Sequence, residues 1–95
     1  MKKHTLIYMN FFDYVIDDFI PCEICGSKAV DIHHIEPKGL GGSKNKDFID
    51  NLVALCRHCH NRCHSEKAFT SVARNAHMMK KDLFLGRKIK NVKRI

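Results

Sequence analysis

No part of this sequence is apolar for long. The stretch nearest the start, Leu6 to Ile20, is broken by Asn10, Asp13, Asp17 and Asp18, which excludes a signal-peptide core and a membrane span. The chain is also short: 95 residues make one domain, near the lower limit of what a hydrophobic core can hold together. Acid is scarce, with 10 Asp and Glu against 17 Lys and Arg and a formal charge of +7, which points to a polyanionic partner. Without a secretory signal, the five cysteines, an odd number, read as intracellular thiols available for metal rather than as a disulfide frame. A chain this small often needs such a staple.

Three segments are expected to pack as one compact domain of the α+β class. In residues 1–21, Phe12, Val15, Ile16 and Phe19 recur at helical spacing, which predicts an amphipathic helix from Met9 to Ile20 ended by Pro21. Residues 22–66 are turn-rich. They hold a strand-like run from Ala29 to Ile35, the polar loop "KGLGGSKNKD", a short strand from Leu52 to Leu55 and a helix from about Arg57. Residues 67–95 contain the end of a helical pattern from Ser65 to Leu83, with Phe69, Val72, Ala73, Ala76 and Leu83 as its stripe. The basic tail "KKDLFLGRKIKNVKRI" follows, read as solvated and disordered when free.

Metal-binding residue types crowd into "NLVALCRHCHNRCH", residues 51–64, which holds three cysteines, three histidines and no acid. Cys22 and Cys25 form one C-x-x-C and Cys56 and Cys59 another. Each such turn puts two sulfurs on one side, and two turns complete a tetrahedral tetrathiolate site. Soft thiolates select zinc or iron–sulfur, and nothing else in the chain suggests a redox cluster. Four thiolates leave no open position, so the zinc would be structural. It would lower the net charge by 2, from +7 to about +5. His60 and His64, four apart on the expected helix, share a face. A catalytic ion needs at least one more ligand, and His33 or His34 can supply it. Adjacent strand residues point to opposite sides, so one can serve the metal while the other handles a proton.

"DIHHIEP", "DNLVALC" and the "CH" of "CRHCH" resemble, in order and spacing, the three parts of the HNH nuclease motif. The flanking C-x-x-C pairs resemble the zinc-bearing branch of that family. The resemblance covers about Cys22 to His64. It implies a small ββα-metal core with a structural zinc site of four cysteines, flanked here by an N-terminal and a C-terminal helix. It further implies an endonuclease that hydrolyses DNA phosphodiester bonds with one catalytic divalent ion, which could be Mg2+, Mn2+, Ni2+ or Zn2+. Carried across residue by residue, His33 and His60 are ligands, His34 is the general base, and His64 matches the extra ligand of the colicin-like branch. Asn51 matches the asparagine that braces the loop and orients the base, although in some branches it binds metal.

A non-catalytic zinc-ribbon DNA-binding or adaptor protein is the main alternative. It explains the cysteines and the charge but not His33, His34, His60 and His64 together. An RNA-directed nuclease is a third reading. Lys38, Lys44, Lys80, Lys81, Arg87 and Lys88 are the candidate phosphate contacts. No base-reading motif is visible, so a protein partner or a homodimer is left to supply specificity. Asp31, Glu36 and Asp50 flank the motif, and one of them could orient a histidine. His58 reads as exposed, and Cys63, one turn after Cys59, as packing beside the zinc site.

Overall fold

The computed structural model describes residues 1–37 and 46–93, with side chains described as far as residue 88. In chain order it contains α1 (Lys3–Phe11), β1 (Asp31–His34), a single 3-10 turn (Ile49–Asn51), β2 (Leu52–Leu55), α2 (Arg57–Ser65) and α3 (Phe69–Lys93). Lys38 and Lys44 lie outside the described residues.

β1 and β2 pair antiparallel with Asp31 opposite Leu55 and His34 opposite Leu52. Side chains alternate between the two faces of such a ladder. Ile32 and His34 therefore share one face with Leu52 and Ala54, while Asp31 and His33 share the other with Val53 and Leu55. Both faces of β2 are covered, and all four of its residues are buried, which is why "LVAL" shows no polar alternation. On the first face Leu52 and Ala54 pack with Tyr8 and Phe12 of the N-terminal region. On the second, Val53 and Leu55 pack with Cys22, Ile35, Cys56, Cys59 and the α3 residues Phe69 and Ala73.

The first helix departs from the expected span. It covers Lys3–Phe11 rather than Met9 to Ile20. Asp13 adopts a φ of 59°, a left-handed conformation that ends the helix. The Val15 N–H then donates to Asp18 Oδ2 at 2.7 Å, a local side-chain bond that competes with helical pairing. Val15, Ile16 and Phe19 are left 63%, 78% and 60% exposed, so the spacing that suggested a stripe does not mark a buried face.

The C-terminal helix differs as well. It begins at Phe69, after Glu66 has turned extended (φ −124°, ψ 104°) and closed α2. Its buried residues are Phe69, Ala73 and His77, while Val72 and Leu83 are exposed. The expected flexible tail is helical to Lys93. Phe84 anchors it against the rings of Phe11 and Phe12, with centroids 5.9 and 5.2 Å away. Among the described residues no helix is long and apolar enough to cross a membrane.

Candidate metal centre and active-site cleft

The four cysteines of the two C-x-x-C turns meet although thirty residues of chain separate the pairs. Their sulfurs lie within 4.8 Å of one another, and Cys25 Sγ stands 3.6 Å from Cys56 Sγ. Ligands about 2.3 Å from a tetrahedral zinc stand about 3.8 Å apart, so the cluster fits that ion. Cys56 also caps α2, its sulfur accepting the Cys59 N–H at 3.4 Å. Hydrogen bonds from the Ser27 hydroxyl and backbone, and then contact with Cys56, pull the Cys25 thiol down to about 6. That shift favours its entry as a thiolate. Burial pushes the Cys59 thiol up, and the same cause raises Cys63. Cys63 is outside the four-sulfur group and packs beside the core.

His33, on the second face of the sheet, points toward α2. There it meets His60 and His64, with ring centroids 4.9 and 5.5 Å away. One nitrogen from each of the three rings lies within 4.8 Å of the others. His60 Nε2 and His64 Nε2 face each other at 3.1 Å, the separation that two neighbouring nitrogen ligands take around an ion at about 2.1 Å. The donor set therefore fits a divalent transition ion. Burial, then the neighbouring His60, His64 and His34 rings, depress His33 to about 4. Its lone pair is thus available at neutral pH. Asp31 Oδ2 stands 3.0 Å from His60 Nδ1, close enough for charge attraction, while that buried nitrogen makes no hydrogen bond among the described residues.

His34 faces the other way. Its Nε2 lies 2.7 Å from Asp47 Oδ1, and its ring centroid lies 4.5 Å from that of His4 on α1. Both histidine groups open into one cleft of about 950 Å³, whose mouth also carries Lys2 and Lys3. Asn51, buried to 2% exposure, ties together the two sides of the loop after β1. Its Oδ1 accepts the Glu36 N–H at 2.7 Å, and its Nδ2 donates to the carbonyls of Glu36 and Lys46, both at 3.0 Å. These bonds engage both atoms of the side-chain amide in holding the loop.

Of the residues expected to touch phosphate, the four on α3 lie away from this cleft. Lys80 donates to the Tyr8 and Tyr14 hydroxyls at 3.1 and 2.8 Å, and Lys81 is paired with Asp50. Lys88 reaches Asp13 at 3.1 Å, Arg87 is exposed on α3, and none of the four lines the cleft. Glu36 pairs with Lys46 at 3.6 Å, and His58 is exposed.

Two of the cleft residues, Asp47 and His4, are not marked by any motif, since each approaches His34 only through the tertiary fold. Lys2 and Lys3 are equally unmarked.

Residues 22–66 match the family model of HNH endonuclease. They form an HNH domain. The HNH segment contains the four-cysteine and three-histidine clusters, His34, Asp47 and Asn51, but not α1 or α3. The type IV methyl-directed restriction enzyme EcoKMcrA of Escherichia coli (strain K12) is 38% identical over 56 residues, spanning 48% of this chain and 19% of that enzyme. The chain thus corresponds to less than a fifth of that relative. No solved structure matches. The family match covers just under half of the chain, residues 22–66.

Proposed function

We propose that this protein is a metal-dependent DNA endonuclease in which His34 is the general base. The observation that carries the reading is the split of a two-residue sequence across one strand. His33 joins two further imidazoles on one face, His34 pairs with a buried carboxylate on the other, and both open into one cleft.

Asp47, as a carboxylate, only accepts, so the Nε2 of His34 must donate to it. That leaves Nδ1 as the lone-pair nitrogen, able to take a proton from the water that attacks phosphorus. A divalent cation held by His33, His60 and His64 would polarise the phosphate and stabilise charge on the leaving 3′-oxygen. Asn51 holds the loop that brings Asp47 to His34. Lys2 and Lys3 at the cleft mouth are placed to contact flanking phosphates. A zinc ion held by Cys22, Cys25, Cys56 and Cys59 would fix the first C-x-x-C turn to the start of α2, and with it the position of His60 relative to β1.

The test is plasmid nicking with a panel of Mg2+, Mn2+, Ni2+, Co2+ and Zn2+, comparing wild type with His34→Ala. Loss of the base should slow cleavage by about 10²- to 10⁴-fold, while DNA binding and zinc content persist. A variant that nicks at the wild-type rate removes His34 from the mechanism. A wild type inactive with every ion favours a DNA-binding adaptor instead.

A further inference from the structure

His4 reaches the cleft from outside the HNH segment. It stands in the first turn of α1, with its ring 4.5 Å from that of His34. Asp47 approaches the same His34 at 2.7 Å from the segment before the 3-10 turn. A ring nitrogen of each histidine and a carboxylate oxygen of Asp47 all lie within 4.8 Å of one another. Three separate parts of the chain supply these donors, so their convergence is a product of the fold and not of sequence spacing. Two imidazoles and a carboxylate suit zinc, cobalt or nickel. The His34 and Asp47 side chains are 17% and 7% exposed, so the donors are held by packing.

We propose that His4, His34 and Asp47 form a second divalent-cation site in the cleft, weaker than the triad, whose occupation switches off His34. The effect on activity rests on His34 being the base; the binding itself does not. An ion must displace a hydrogen bond at either site, and this one is the weaker because its donor pair stands closer than two ligands can. Ligands at about 2.0–2.1 Å stand about 2.9–3.4 Å apart, so the 2.7 Å His34–Asp47 pair must open by some tenths of an ångström. In the triad, His60 and His64 already stand 3.1 Å apart.

Switching off follows from proton placement. When Nε2 of His34 gives its lone pair to an ion, the proton it carried is released to solvent, and the ring stays neutral by taking one proton from solvent on Nδ1, which is the other tautomer. No lone pair then remains to receive a proton from water. Activity should rise as the triad fills and fall as the second site fills, which confines cleavage to a window of free metal concentration.

The test uses full-length protein carrying its structural zinc. Equilibrium dialysis against Co2+ with elemental analysis should count two exchangeable ions per chain in wild type and one in His4→Gln. His4→Asp, which restores a ligand, should keep both. His64→Ala should lose the tighter ion and keep the weaker. In nicking assays His4→Gln should match the wild-type rate at low Co2+, while its inhibitory midpoint rises at least roughly tenfold. His4→Asp should remain inhibitable. One exchangeable ion in wild type, or an equal count in wild type and His4→Gln, overturns the site. Loss of one ion in His4→Gln with unchanged inhibition overturns the switch. If wild type cleaves nothing with any ion, the nuclease reading fails, and the ion count still decides whether the site exists.

Discussion

Glu23 and His77, 54 residues apart in sequence, meet at 2.9 Å with side chains 0% and 1% exposed. Glu23 belongs to the first C-x-x-C turn and His77 to α3. The other carboxylate oxygen of Glu23 accepts from the Tyr8 hydroxyl at 2.5 Å and from the Ala54 N–H at 2.9 Å. His77 Nε2 donates to the Ile49 carbonyl at 2.6 Å. Burial first, and then Glu23, hold the Tyr8 phenol far above its ordinary range, so it remains a donor. Every member is satisfied, and removing one strands the rest in a dry interior. We expect Glu23→Ala or His77→Ala to cost about 3–5 kcal/mol, measured as a lower denaturant midpoint at fixed zinc.

The two metal groups should separate by mutation. Cys56→Ser removes both a sulfur ligand and the cap of α2. It should release zinc and unfold much of the chain, because structural zinc supplies folding free energy. His60→Ala should keep the zinc and the fold while cleavage is lost. Elemental analysis together with circular dichroism checks both. Zinc retained in folded Cys56→Ser would contradict the assignment.

Asn51→Ala deletes three hydrogen bonds that clamp the loop after β1. At roughly 1 kcal/mol each, the expected loss is about 2–3 kcal/mol by denaturant unfolding. Activity should fall further than stability alone explains, since Asp47 lies next to one clamped residue, Lys46. An Asn51→Ala protein as stable as wild type would remove the clamp.

Acidification should weaken the ion-free triad. His33 is depressed to about 4, against about 6.5 in an unfolded chain. Between those values the unfolded chain holds more protons than the folded one, so stability is lost as pH falls through that window and is unaffected above it. Unfolding of zinc-loaded protein at pH 7, 5.5 and 4.5 should therefore show a steeper decline for wild type than for His33→Gln. Identical declines would mean that His33 is not neutral in the fold.

Salt dependence of DNA binding locates the phosphate contacts. If Lys2 and Lys3 each neutralise one phosphate, replacing both by Ala should flatten the slope of log K against log salt by about 2. The loss should be similar for unrelated sequences. Lys80→Gln should leave the slope alone, since its ammonium is bound to Tyr8 and Tyr14, but should lower stability. Equal slopes for wild type and the Lys2/Lys3 variant would place the DNA elsewhere.

The cysteine pairs, β2, the start of α2 and the residues of the histidine triad were legible because each depends on local spacing. The face of α3 was not. Its inward residues run Phe69, Ala73, His77, Lys80 and Phe84, and a count of apolar residues passes over the histidine and the lysine that Glu23, Tyr8 and Tyr14 make acceptable inside. α1 was misplaced because the apolar periodicity of residues 12–19 is real, while Asp13 and Asp18 settle the local backbone against it. Asp47 and His4 carry no local signal, and only the pairing of the strands and the docking of α1 bring them to His34.

The docking of α1 and α3 also bears on how the HNH segment can be handled. Cut out alone, residues 22–66 would expose Leu52 and Ala54, which Tyr8 and Phe12 now cover, and would leave Glu23 without Tyr8 and His77. The HNH motif is therefore not a portable cassette in this chain. Fused to a foreign DNA-binding protein, it would have to travel with both flanking helices, and a nascent chain cannot complete its interior until α3 has been synthesised.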